Sequence, residues 1–381
     1  MPAAPPPAAD PVAAAAPEAP APAPPAEAVA APAPTYPMTT IGGYVEGGWH
    51  HGLVEHSNSY GQLPTRVYDA GNGFQLHAMH LAIHSALNEH IGAFIDIDAG
   101  SDAAVNNGSG GTPARTLFDI QEAYAVLSAS GFTLSAGKFA TYEGIELIEG
   151  PTNPTLTRGF LYAFAEPITH VGAKLHYTQA MFDLGVGLVN GWDTNGPPGT
   201  AANGGLPTGL WTSDNNNNKT FIWRAAVTPA PIFFAAFSGT YGVEKPGQDT
   251  DPRLSLDLTG AVVPADMVTL NFQGNYGSEK KAAPDGGTAS WWGLGLQPVL
   301  KIDAATIGAR LEYFKDSNGV RVPASALSKT GYLNATITPG YTFYGAFTMR
   351  AEFRYDHATE SVLANAAKGQ TSIGIGAHYV F

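Results

Sequence analysis

Three glutamates, Glu143, Glu146 and Glu149, recur every third residue. That spacing would line one side of a short helix or turn. The surrounding segment, 140–168, also carries Ile145, Leu147, Ile148, Phe160, Tyr162 and Phe164. Apolar residues in a long connection need a surface to pack on. The glutamates would then face cations elsewhere in the chain: Lys174, Arg224, Arg310, Arg350 and Arg354, with Arg158 on the segment itself. Opposed charges across a narrow gap set up a transverse field that discriminates by size and charge. The competing reading leaves these glutamates in a solvated outer loop.

Other charges alternate along short segments. Arg310 and Glu312 are two apart, as are Arg350, Glu352 and Arg354. They form either a salt-bridge ladder that stiffens a wall or a row that touches solute. Asp96 and Asp98 alternate in the same way, and Asp183 occupies an equivalent place further on. Of the eleven histidines, His80 and His84 share one face about two steps apart, but no supporting acid pattern marks a metal site. No metal and no cofactor are expected. The chain lacks G-x-S-x-G, HExxH, a P-loop and a dinucleotide fingerprint, and Gly108-Ser109-Gly110-Gly111 is not followed by Lys-Ser/Thr. No enzyme is expected; a hydrolase built on a barrel rim is the distant rival.

What must position these residues is a set of strands. The last ten residues, Ser372 to Phe381, place Ile373, Ile375, Ala377, Tyr379 and Phe381 on one row and small or polar residues on most of the other. The rhythm recurs. Val268, Leu270, Phe272 and Tyr276 oppose Thr269, Asn271, Gln273 and Asn275. Leu254, Leu256, Leu258 and Val262 oppose Ser255, Asp257 and Thr259. About sixteen such strands can be drawn: 39–51, 73–86, 90–99, 117–128, 131–139, 169–178, 180–190, 219–229, 231–242, 252–263, 266–277, 288–300, 303–315, 328–339, 341–356 and 370–381. Short turns, among them Thr228-Pro229-Ala230-Pro231 and Pro339-Gly340, alternate with long polar loops near 52–72, 100–115, 191–218 and 356–369. An even strand count returns both termini to one side.

So many polar rows leave too little apolar surface for a dry core. The economical arrangement turns apolar rows to lipid and polar rows to water, in a closed antiparallel transmembrane β-barrel. Closure is required because an open edge in hydrocarbon strands backbone groups at several kcal/mol each. Tyr241, Tyr276, Trp292, Tyr313, Tyr355, Tyr379 and Phe381 fall near strand ends, where interfacial aromatics belong.

Composition agrees. Of 381 residues, 44% are apolar and only 13% charged, about half the charge of a soluble domain. No run of 18 apolar residues offers a transmembrane helix. The absence of cysteine excludes disulfides and thiolate chemistry. A net charge of −13 argues against nucleic acid as a partner. From Pro2 to Pro34 nearly every residue is Ala, Pro or Val, so residues 1–37 read as a disordered or polyproline linker in the periplasm, ahead of a barrel over 38–381. Met1-Pro2-Ala3-Ala4 shows no secretory signal, which suits a mature chain.

Several motifs together carry a family resemblance: Asp119-Ile120-Gln121-Glu122-Ala123-Tyr124, Gly137-Lys138-Phe139, the run Thr157 to Gly172, and Asn190-Gly191-Trp192-Asp193. In order and spacing the chain over 40–381 resembles the putative β-barrel porin-2, or OmpL-like, family. The resemblance implies a bacterial outer-membrane barrel with porin-like permeability and names no solute. Lipid, lipopolysaccharide, small hydrophilic solutes or ions, and further copies of the chain as a homo-oligomer are the partners it suggests. With Asp10, Glu18 and Glu27 set aside, 29 acidic residues remain against 19 basic ones, which suggests a mild cation preference. A barrel plugged by its own loop, serving structure or surface interaction, is the alternative.

Overall fold

The computed structural model describes residues 35–53, 72–106, 117–192, 216–245, 247–322, 329–363 and 366–381. The Ala/Pro-rich linker over 1–34 and most of the loops near 52–72, 100–115 and 191–218 lie outside them.

Sixteen antiparallel strands close into one barrel, each paired with its sequence neighbours and the last with the first. They are β1 (Met38–Gly52), β2 (Gly73–Ala86), β3 (Ile91–Ala99), β4 (Phe118–Ala129), β5 (Phe132–Ala140), β6 (Thr169–Gln179), β7 (Phe182–Val189) and β8 (Thr220–Ala230), then β9 (Phe233–Gly242), β10 (Arg253–Ala265), β11 (Val268–Glu279), β12 (Ala289–Ile302), β13 (Ala305–Asp316), β14 (Thr330–Phe343), β15 (Phe347–Ala358) and β16 (Gly369–Val380). The seam pairs Tyr44 with Val380 through to Gly52 with Ser372. It is finished by two backbone bonds between Gly43 and Phe381, at 3.0 and 3.1 Å. No edge is left, which is the condition hydrocarbon imposes.

Period-2 patterning decides the faces. On β10, Ser255, Asp257 and Thr259 are buried inward, while Leu258 is exposed outward. On β15, Arg350, Glu352, Arg354 and Asp356 are buried, and Phe347, Met349, Phe353 and Tyr355 lie on the outer surface. Tyr241, Tyr276, Trp292, Tyr355, Tyr379 and Phe381 are likewise exposed outside.

The start of β1, the end of β16 and the short turns among the described residues share one rim. Ser130 (φ 52°) and Gly131 (φ 84°) make a two-residue hairpin turn of the type that matches strand twist. The Pro339-Gly340 turn expected from sequence is not a turn. β14 runs through it to Phe343, and the chain reverses at Tyr344 and Gly345, both at positive φ. Proline usually marks a break, yet here it is absorbed at ladder irregularities. Pro229 and Pro264 coincide with register shifts, and Pro298 and Pro339 fall where the ladder to one neighbour skips two successive pairs.

Candidate functional site

The connection from β5 to β6 enters the lumen. Residues 155–168 are buried apart from Ala163 and Ile168, and their partners are inward-facing side chains of the wall. Only a 3₁₀ turn at Gly150–Thr152 and one π-helical turn at Leu161–Ala165 are regular. The glutamate triplet therefore does not lie along a helix. Gly144 (φ 96°) and the Gly150-Pro151 pair break the path, and each glutamate points to a different part of the wall.

Glu146 Oε1 accepts from Arg310 Nη1 at 2.6 Å, and its Oε2 accepts from the Gly159 amide at 2.7 Å. Glu143 Oε2 accepts from Ser255 Oγ at 2.5 Å. Glu149 Oε1 accepts from Gln121 Nε2 at 2.5 Å. Thus one of the three glutamates meets a wall arginine and two meet neutral donors. Arg158 folds back onto its own loop, donating to the carbonyls of Leu147 and Ile148 at 3.1 and 2.5 Å.

The wall charges hold the loop chiefly by its backbone. Glu352 accepts from the amides of Leu156 and Thr157 at 2.7 and 3.1 Å. Glu312 accepts from the amides of Phe160 and Leu161 at 2.5 and 3.3 Å. Arg350 donates to the carbonyls of Gly150, Asn153 and Thr155 and pairs with Glu46 on β1. Arg354 donates to the Arg158 carbonyl at 2.6 Å and to Asp356 at 2.8 Å. Charge-assisted bonds to peptide groups are shorter and stronger than neutral ones, so the loop path is over-determined. The alternating charges of β13 and β15 thus act as loop anchors in addition to forming a ladder.

The remaining predicted wall residues lie on β3, β6 and β8. Asp98 Oδ1 accepts from His80 Nδ1 at 2.8 Å, and Asp96 stands 3.5 Å from His84. Arg224 Nε lies 3.1 Å from Asp183 Oδ1, with His176 3.6 Å from the same carboxylate. Lys174 lies over the rings of Phe139 and Tyr142 at 4.5 and 5.0 Å. Among the described residues no three His, Asp, Glu or Cys side chains gather into a metal-holding group.

Sequence reasoning missed two parts of the site. One is a carboxylate group at the loop's contact with β10 and β11. Glu166 Oε2 and Asp257 Oδ2 both accept from Gln273 Nε2, at 2.6 and 2.7 Å. Burial, then the nearby Asp257, pushes the Glu143 carboxyl up to about 8 and raises that of Glu166 as well. The other is an apolar cluster inside the lumen, where Phe160, Leu161 and Phe164 pack on Trp192, Trp291, Phe314 and Tyr332. Trp291 Nε1 donates to the Ala165 carbonyl at 3.1 Å, and Arg321 covers the Trp192 and Trp291 rings at 5.1 and 4.9 Å. The available signal was glycine at inward positions. Gly293 and Gly295 face Leu161, Gly308 faces the Pro154 carbonyl, and Gly374 and Gly376 face Leu156. A wall that omits side chains along one track is making room for something.

A sixteen-stranded barrel with a loop anchored in its lumen is a porin-like arrangement. The sequence model of the putative β-barrel porin-2, OmpL-like family matches residues 38–381. The chain belongs to this family. Among solved structures, the barrel is similar to Pseudomonas putida OprB, with 12% identity and a TM-score of 0.60 over 90% of this chain and 94% of that one. It is similar to the anion-selective porin of Comamonas acidovorans at 10% identity and a TM-score of 0.59, over 90% and 99%. OmpT of Vibrio cholerae, in a trimer form, follows at 11% identity and a TM-score of 0.58, again over 90% and 99%. At such identities the likeness shows a shared fold. No curated protein sequence matches the chain. Family and barrel together support a place in the bacterial outer membrane.

Proposed function

We propose that this porin-family barrel passes small hydrophilic solutes by passive diffusion along a lumen narrowed by residues 141–168. The short-turn rim, with the N-terminal segment, would face the periplasm. One observation carries the reading. The loop's charged anchors concentrate on β1 and β13–β15, whereas His80, His84, Asp96, Asp98, His176, Asp183 and Arg224 on β2, β3 and β6–β8 pair with one another. The loop touches this arc at His176, through the Tyr142 hydroxyl at 2.5 Å, but sends no charged side chain to it, and a polar arc of that kind is the natural lining of a hydrated path. The arginines that would attract anions, Arg310, Arg350 and Arg354, are bound to Glu146, Glu46 and Asp356. That favours a mild cation preference. Transport here needs no reaction: the loop sets the aperture by the path on which Glu143, Glu146 and Glu149 pin it to the wall and Arg158 braces it from within, and the wall supplies the field.

A second reading has its own support. The cluster around Phe160, Trp192 and Trp291 is dry, and a dry cluster in the lumen is what a plug requires. Planar-bilayer recording of the purified protein separates the two. A porin gives discrete ohmic steps, and deletion of 143–149 should enlarge them. A wild-type barrel that passes no resolvable current would establish the plug and end the porin reading. The trimeric form of the Vibrio relative motivates a parallel proposal of homo-oligomerisation, tested by native mass in detergent.

A further inference from the structure

We propose that the junction of the inward loop with β10 and β11 binds a hard divalent cation of the calcium type through Glu143, Asp257 and Asn275. Asp257 and Asn275 are cross-strand partners on adjacent strands, and Glu143 descends onto them from the loop. Each is nearly sealed from solvent, Glu143 at 4%, Asp257 at 0% and Asn275 at 4% exposure. Each spends one end of its side chain on a neutral neighbour. Ser255 Oγ donates to Glu143 and accepts from Asn275 Nδ2 at 3.4 Å, Thr240 also serves Glu143, and Asp257 is held by Gln273, the Asn275 side chain and the Gly144 backbone N–H. The other end of each, Glu143 Oε1, Asp257 Oδ1 and Asn275 Oδ1, is buried with no hydrogen-bond partner.

Three unsatisfied oxygens in one hydrogen-bonded cluster are an uncommon concentration. Two belong to carboxylates, a third carboxylate (Glu166) adjoins them through Gln273, and among the described residues no lysine or arginine pairs with any of the three. Burying carboxylates without a countercharge is costly, so either protons or a cation must compensate. The donor set is entirely oxygen, with two carboxylates and an amide carbonyl, which suits calcium and excludes soft metals. Magnesium fits less well, because it demands octahedral geometry and dehydrates reluctantly. Such an ion would clip the loop to the wall at a contact that has no arginine. The inference is independent of whether the lumen conducts.

The test uses the full chain folded in detergent, stripped with EGTA and titrated with calcium by calorimetry. Wild type is compared with Glu143→Gln, Asp257→Asn and Asn275→Ala, and with Glu360→Gln on an exposed loop as control. The two carboxylate variants should each bind one calcium fewer, and Glu360→Gln should match wild type. Asn275→Ala should keep the stoichiometry with about tenfold weaker affinity at that site, since ligand number tunes affinity. Lowering the pH from 8.5 to 6.5 should weaken wild-type binding, because protons compete at Glu143. Equal stoichiometry and affinity in all proteins, or no saturable binding in wild type, overturns the proposal. Should a carboxylate variant fail to fold, Asn275→Ala decides, and unchanged affinity there is also fatal.

Discussion

At the residue scale, Arg310 does the most to hold the loop. Its guanidinium reaches Glu146, Thr155 Oγ1 and the Thr157 carbonyl, at 2.6, 2.9 and 2.5 Å, while Nε is held by Asn334 at 2.9 Å. It is almost wholly buried. Removing one member of a buried pair leaves the other uncompensated, at a cost of about 3–5 kcal/mol. Arg310→Ala should therefore release the loop locally, seen as faster proteolysis within 141–168 and noisier open-channel current. Arg310→Met combined with Glu146→Leu should recover most of the protection, because both charges leave together. If the double variant is as loose as the single one, charge pairing is not what fixes the loop. Alternation alone placed Arg310, Glu312, Arg350 and Glu352 inward. Their partners were not legible, because those depend on where a loop of little regular structure crosses the lumen. Glu146 reaches Arg310 from 164 positions away.

At the scale of elements, the loop lies in a track of inward glycines, and two of them make a controlled comparison. A Cβ on Gly308 would stand 1.9 Å from the Pro154 carbonyl oxygen, a backbone atom that cannot swing aside. A Cβ on Gly376 would meet Leu156 Cδ1 at 2.5 Å, the far end of a side chain with other rotamers. Gly308→Ala should displace the loop, costing about 1–3 kcal/mol of its docking and changing single-channel conductance. Gly376→Ala should leave conductance near wild type. Equal effects of the two would mean that the track is incidental. Neither glycine has positive φ, so strain in the strand does not confuse the result. The strands themselves were legible because lipid on one side and water on the other impose a period of two along nearly every one. Fifteen of the sixteen begin within two residues of the segment read from sequence. The exception, β15, starts at Phe347 because proline's reputation as a turn former misplaced the preceding hairpin. A ladder that skips pairs tolerates proline, and nothing local announces the skip.

At the scale of the whole molecule, charge is distributed unevenly around the lumen, and that asymmetry should govern ion selectivity. On β13 and β15 the cations are matched: Arg310 by Glu146, Arg350 by Glu46, Arg354 by Asp356. On β2 and β3 the acids Asp96 and Asp98 partner with histidines and not with lysine or arginine. These acids are nearly buried, at 8% and 1% exposure, so they act on a passing solute through their field, which in a confined, low-dielectric setting has a large effect on ion occupancy. In a KCl gradient the reversal potential should favour potassium over chloride. Asp96→Asn with Asp98→Asn should move it toward zero, and raising the salt should shrink the difference as screening sets in. Asp285→Asn, on an exposed rim loop, should change it little. An intrinsic preference for chloride would mean that the arginines on the loop side still project their field into the path. The path would then run past the anchors instead of along β2 and β3.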